Sequence, residues 1–242
     1  SLGVLDYLEM RPEREADIKR YVKEGRLIVG PFFVGPDEFI PSGESLIRNL
    51  LMGHQIANRF GPVMKVGYNP DAFGHISQLP QLLRGFDIDA AVFSRGAGEE
   101  VGRPGTDFIW EGPDGSQVLA VYNHYGNSAN LPAEPEATLN RIKGAIESML
   151  PKELPYLLLS NGSDGSSPQA HVPEAIQYAN EKLEDIEIIH GTLQQYVELV
   201  RSGADRLKHY RGELRFGRYN LILGGVYSSR TYLKQENVKT QT

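Results

Sequence analysis

The sequence predicts an α/β fold, and two patterns carry that prediction. Apolar residues at helical spacing recur in Ala16-Ile18-Tyr21-Val22, in Leu46-Ile47-Leu50-Leu51-Ile56-Ala57 and in Leu139-Ile142-Ala145-Ile146-Leu150, each reading as an amphipathic helix with one face to pack. Between them lie short apolar, β-branched runs over 27–33, 64–68, 90–93, 118–122, 156–159 and 186–189, which have the length of buried strands. Helix and strand alternate along most of the chain. Such alternation favours a parallel sheet with covering helices, because parallel strands need crossover connections.

Taken in order, the run 64–68 leads through Asn69-Pro70-Asp71 to a helix carrying Leu79, Leu82 and Leu83. The segment Glu111-Gly112-Pro113-Asp114-Gly115-Ser116 separates two strand-like runs and reads as a hairpin added to the parallel scheme. The last stretch, 227–242, is polar and helix-compatible with few apolar anchors, as at the start of a further domain.

With 40% hydrophobic and 23% charged residues in 242, the chain has the composition of a globular protein with a sizeable core. A net charge of −6 without a basic stripe argues against a nucleic-acid partner. The absence of cysteine excludes disulfides, thiol catalysis and thiolate metal sites, so any metal needs His, Asp, Glu or Asn ligands. No apolar run approaches the roughly 18 to 20 residues of a membrane span. With no basic n-region at Ser1-Leu2-Gly3-Val4 either, a cytoplasmic location is expected.

In α/β folds ligands collect beyond the carboxyl ends of strands, so the chemistry belongs in the polar loops at those ends. Asp71 ends one run and either faces a site or N-caps the next helix. Asp164, in Ser160-Asn161-Gly162-Ser163-Asp164-Gly165, is either a second site carboxylate or a solvated turn residue. Two carboxylates on two strand ends are what glycoside cleavage uses. Asp37-Glu38 is either a third acidic contribution to the rim or a pair of solvated loop charges. Arg95 either holds a site carboxylate ionised or lies on the surface. No two of the six histidines have the i, i+4 spacing of a helical metal motif. His54 reads as a packed helix residue and His190 as structural, while His124, beside Tyr125 after a strand, is the better candidate for a sugar contact.

Several segments together resemble the glycoside hydrolase family 38 α-mannosidases, in particular the bacterial ones. They are Gly30-Pro31-Phe32-Phe33-Val34-Gly35-Pro36-Asp37-Glu38-Phe39, Ser42-Gly43-Glu44-Ser45-Leu46, Gly67-Tyr68-Asn69-Pro70-Asp71-Ala72-Phe73-Gly74-His75, Ala91-Val92-Phe93-Ser94-Arg95-Gly96, Asn161-Gly162-Ser163-Asp164 and Ser228-Ser229-Arg230. The resemblance implies a seven-stranded β/α barrel-like domain and retaining hydrolysis of α-mannosides or oligosaccharides in a zinc-containing site. Asp71 would be nucleophile and zinc ligand and Asp164 the acid/base. Arg95 would sit beside the nucleophile, with Asp37, His124 and Tyr125 contacting substrate. Residues 1–215 would form an incomplete catalytic domain, and 216–242 its end and the lead into a helical bundle.

The sequence departs from the family pattern twice. The family's His-x-Asp zinc pair lies upstream of the segment matching Leu5-Asp6-Tyr7-Leu8-Glu9. Its remaining zinc His falls where this chain reads Tyr219-Asn220-Leu221-Ile222, leaving Asn220 as a weak substitute. A catalytic zinc needs about three protein ligands, so the expectation is a fragment with an incomplete zinc site, lacking the first strand and prone to self-association through the open sheet edge. The alternative is a non-catalytic carbohydrate-binding domain whose rim is formed by Asp37, Asp71, Trp110 and Tyr125.

Overall fold

The computed structural model describes residues 1–240. At its centre lies a mixed five-stranded sheet in the order β1-β2-β4-β3-β5. β1 (Gly67–Tyr68), β2 (Ala90–Phe93) and β4 (Gln117–Tyr122) are mutually parallel, β3 (Thr106–Glu111) runs antiparallel to β4, and β5 (Lys208–Arg211) pairs parallel with β3. The hairpin expected around 111–116 is the β3–β4 turn, closed by Gly112 N donating to Ser116 O and by the Asp114 carboxylate accepting from Ser116.

The predicted helices form. α1 (Leu2–Met10) and α2 (Glu15–Lys23) pack with α3 (Gly43–Ala57) around Val22, Ile56, Ala57 and Phe60. α3 starts where Ser42 Oγ accepts from Ser45 N and buries Leu46, Leu50 and Ile56 along one stripe. After α4 (Leu79–Arg84) and α5 (Pro135–Met149) come α6 (Val172–Lys182), α7 (Leu193–Arg201), which begins with a Thr192/Gln195 capping box, and α8 (Thr231–Thr240). The helix expected over 227–242 thus forms over its described part; positions 241 and 242 lie outside the described residues. No helix among the described residues is long and apolar enough to cross a membrane.

One sheet face packs Ala91, Phe93, Phe108, Trp110, Ala120 and Tyr122 against Leu50, Leu83 and Leu214. The other packs Val92, Leu119 and Val121 against Tyr196, Val197 and Val200 of α7. Beneath α7 the Asp107 carboxylate is buried with Lys152 Nζ at 2.8 Å, and Tyr196 Oη donates to it. Such a pair holds its geometry because breaking either half strands a charge in a dry interior.

Three predicted strands are corrected. Run 27–33 makes a single bridge, Val29 to Val63, since Pro31 has no N–H for a ladder. Along 156–159 the Leu158 carbonyl accepts from the Asn123 and Asn127 side chains rather than from a neighbouring strand. In 186–189 Ile188 N and O are both taken by the Asn180 side chain, and Ile186 and Ile189 are exposed. Side-chain amides compete successfully for backbone groups in these apolar runs. Trp110, expected at a binding rim, is 0% exposed, with its indole N–H donating to Gly212 O inside the core.

Candidate active site

Three adjacent parallel strands deliver the site. Asp71 follows β1, Arg95 follows β2 and Tyr125 follows β4, all beyond the carboxyl ends, where ligands collect in open α/β sheets. Backbone bonds continue the sheet past the strand ends and hold the loops together: Asn69 N donates to Val92 O, Ser94 N to Pro70 O and Asn123 N to Phe93 O. Ser94 Oγ accepts from Tyr125 N at 2.9 Å.

Segment 214–216 crosses behind this rim, bridging His75 through Leu214 and Gly96 through Phe216. It explains two glycines. Gly74 and Gly96 have φ of +103° and +91°, and a Cβ would fall 2.8 Å and 2.4 Å from Leu214 O.

Of the two readings of Asp71, the N-cap is set aside, because Gln78 occupies the N-cap position of α4. The Asp71 carboxylate meets Arg95 instead, Nε lying 2.6 Å and Nη2 2.5 Å from Oδ1. Both contacts fall on one oxygen. Asp71 Oδ2 carries no hydrogen bond among the described residues. The pair is asymmetric in exposure, Arg95 at 13% and Asp71 at 47%, so the cation is seated and the anion faces solvent. Arg95 is seated by the carbonyl of Leu221, the side chain of Asn220 and the face of Phe73. Asn220 in turn donates to Ser94 O at 2.9 Å.

Tyr125 joins this group. Burial, and after it the negative charges of Asp71 and Asp164, push its hydroxyl above the ordinary tyrosine value, while Arg95 pulls it down. Asp71, Asp164 and Arg95 therefore each lie within electrostatic reach of Tyr125. Asp164 is exposed on its turn. The base of that turn is stitched to the β4 loop: Ser160 N donates to Asn127 Oδ1 at 2.7 Å, Asn123 Nδ2 to Ser160 Oγ at 3.1 Å and Asn161 Nδ2 to Ser128 O at 3.1 Å. His124 is exposed, with its ring stacked on Tyr125.

Asp37 and Glu38 part ways. Asp37 is half-buried, its Oδ1 lying 3.0 Å from Tyr227 Oη, and burial raises its carboxyl above the usual range. Glu38 is 2% exposed and bonded to Asn69, His75 and Ile76, so it is no solvated loop charge. Sequence reasoning missed Asn127 and Asn123, and within the Asp37-Glu38 pair it did not tell which carboxylate is buried.

The donor set does not fit a zinc ion. Among the described residues no three His, Asp or Glu side chains gather to hold a metal. Asn220 is engaged with Arg95 and Ser94.

Carboxylates and a guanidinium over the ends of parallel strands have the build of a ligand site in an α/β hydrolytic domain. Residues 3–213 match the model of the glycosyl hydrolases family 38 N-terminal domain. A protein of Halalkalibacterium halodurans provisionally named mannosylglycerate hydrolase is 35% identical over 98% of this chain and 28% of its own length. Alpha-mannosidase G of Dictyostelium discoideum is 30% identical over 95% of this chain and 21% of its own. The crystal structure of an alpha-mannosidase from Enterococcus faecalis superposes with a TM-score of 0.83 at 32% identity, covering 88% of this chain and 25% of that one. The chain belongs to glycosyl hydrolase family 38 and spans about a quarter of the length of these relatives.

Proposed function

We propose that these residues are part of a retaining glycoside hydrolase that cleaves α-mannosides, with Asp71 as nucleophile and Asp164 as acid/base. The observation that carries the reading is the Asp71–Arg95 pair. Arg95 holds Oδ1 and leaves Oδ2 of an exposed carboxylate free to attack. In the first step Asp71 Oδ2 bonds to the anomeric carbon while Asp164 protonates the departing glycosidic oxygen. In the second, Asp164 takes a proton from water as that water's oxygen attacks the same carbon and frees Asp71. Tyr125 and His124 line the same rim and are assigned to the sugar; Asp37 stands one loop behind it, against Tyr227. The family kinship of relatives bearing mannosidase and mannosylglycerate hydrolase names supports the substrate class.

In the same proposal the complete domain is a seven-stranded β/α arrangement. Residues 1–215 belong to the catalytic domain, and 216–242 close it and lead into a helical bundle. Zinc would be held by Asp71 together with ligands outside these residues, where it would polarise sugar hydroxyls, and no step assigned to Asp71 or Asp164 depends on it.

The test is hydrolysis of an activated aryl α-mannoside by the full-length protein and its Asp71→Asn variant. Turnover with retention of anomeric configuration, lost by about 10⁴-fold or more in the variant, is expected. Sugar binding without turnover in the full-length protein would instead establish a carbohydrate-binding domain.

A further inference from the structure

We infer that Glu38 is the positioning residue of the nucleophile: its buried carboxylate clamps the turn on both sides of Asp71 and thereby fixes where the Asp71 carboxylate stands. The inference rests on the assignment of Asp71 as nucleophile.

Glu38 Oε1 accepts from Asn69 Nδ2 at 3.0 Å and from His75 Nδ1 at 2.7 Å, and Oε2 accepts from Ile76 N at 3.0 Å. Asn69 precedes Asp71, whereas His75 and Ile76 come after it, so one carboxylate ties the entry of the turn to its exit. The same Asn69 amide donates to Pro36 O at 2.9 Å, which closes the ring through the loop that carries Glu38. All of it is dry: Glu38 is 2% exposed, Asn69 3% and His75 0%.

His75 Nε2 has no partner among the described residues and its ring packs on Phe93 and Trp110. The tautomer that fits this setting therefore carries its proton on Nδ1 and donates it to Glu38. Charge-assisted bonds of this kind are shorter and stronger than neutral ones.

The clamp adds to the backbone bonds that Asn69 and Pro70 make beside β2 and that His75 makes to Leu214, in a turn whose Asp71 is exposed and, among the described residues, bonds only to Arg95. A guanidinium fixes one carboxylate oxygen but not the backbone beneath it. Three bonds to one buried group fix that backbone from both ends, and an error of about 1 Å in a reacting group is enough to lose on the order of a hundredfold in rate.

Glu38→Gln in the full-length enzyme tests the idea. The amide has the same shape, yet whichever way it turns an N–H faces a donor, either Ile76 N or the Asn69 and His75 pair. For an activated aryl α-mannoside kcat is expected to fall about ten- to hundredfold with KM within about twofold, because substrate binding does not need the attacking oxygen in place. Should Glu38→Gln not fold, Asn69→Ala removes only the entry arm, and the same split of kcat from KM is expected at about three- to tenfold. A folded Glu38→Gln, or failing that Asn69→Ala, with wild-type kcat, or with kcat and KM changed alike, overturns the inference. Asp71→Asn run alongside separates the two claims. If it keeps wild-type turnover, the nucleophile assignment falls and this inference with it; if it is inactive while the clamp variant turns over normally, this inference alone falls.

Discussion

Asp71 stands on a turn strapped at both ends to a buried carboxylate, whereas Asp164 stands on an exposed, glycine-flanked turn closed by Ser163 and Ser166 and tied to the β4 loop at its base by neutral amides. The first arrangement uses charge in a dry setting, where a hydrogen bond left unmade is expensive. The second uses amide–carbonyl bonds, each worth about 1 kcal/mol net, and leaves Gly165 at φ +66° with open space around it. The contrast suits the two proposed roles. A nucleophile attacks one carbon along one line, while an acid/base gives a proton to one oxygen and takes a proton from another, and so gains from contact with water and some freedom of its turn.

The largest effect expected from testing this contrast lies at Asp164. In the full-length enzyme Asp164→Asn should slow substrates with poor leaving groups by about 10²- to 10⁴-fold and spare activated aryl mannosides in the first step. Steady-state rates on a leaving-group series measure this, and equal losses across the series would make Asp164 structural. Arg95→Lys should come next, at about ten- to hundredfold in kcat/KM. An ammonium cannot reproduce the contacts to Asp71 Oδ1, Asn220 and the Leu221 carbonyl from one planar group. A lysine variant with wild-type kinetics would show that any cation suffices beside Asp71.

Asn127→Ala probes the neutral side directly. Its side chain accepts from Ser160 N and donates to the Leu158 carbonyl, so its loss strands the partly buried Ser160 N–H at a cost of about 1–3 kcal/mol and leaves the Leu158 carbonyl with its Asn123 donor. Thermal melts should register a fall, and the kinetic loss should be confined to poor leaving groups, because the loosened turn carries the acid and not the nucleophile. A matching loss on activated substrates would mean that the two loops are coupled.

What was legible in the sequence divides along the same line. The hairpin, the stripe of α3 and the order Asp71, Arg95, Tyr125 along three strand ends come from local pattern, because turn residues and apolar spacing act over a few positions. The Glu38–His75 contact joins residues 37 apart in the chain, and nothing in a neighbouring Asp37-Glu38 pair says which carboxylate turns inward. Runs 156–159 and 186–189 have the same apolar look as β2, yet their backbone groups are claimed by Asn123, Asn127 and Asn180, residues whose partners are set by tertiary approach. Trp110 misled for a similar reason: an aromatic beside a turn suits a binding rim, but its side of β3 faces the core.

Asp37 gives the smallest and most diagnostic effect, since it is the carboxylate that neither clamps nor attacks. Tyr227 Oη lies 2.6 Å from Phe73 O and 3.0 Å from Asp37 Oδ1, but it has one proton for two acceptors. If that proton goes to the nearer Phe73 carbonyl, the tyrosine oxygen is best met by a donor, which an ionised Asp37 is not. Burial first, with the Glu38 charge adding to it, accordingly raises the Asp37 carboxyl above its unfolded value of about 3.9, against the Tyr227 hydrogen bond. A carboxyl whose folded value is raised carries no penalty below the unfolded pKa. The penalty grows as pH rises to the folded value and is constant beyond it. Asp37→Asn supplies an N–H to Tyr227 and never ionises. Its melting temperature relative to wild type should therefore climb as pH rises above about 4. For a half-exposed position the gain is small, and its sign is what the melts read. A difference that shrinks or turns negative over that range would show that Tyr227 gives its proton to Asp37 and that this carboxylate is held as an anion.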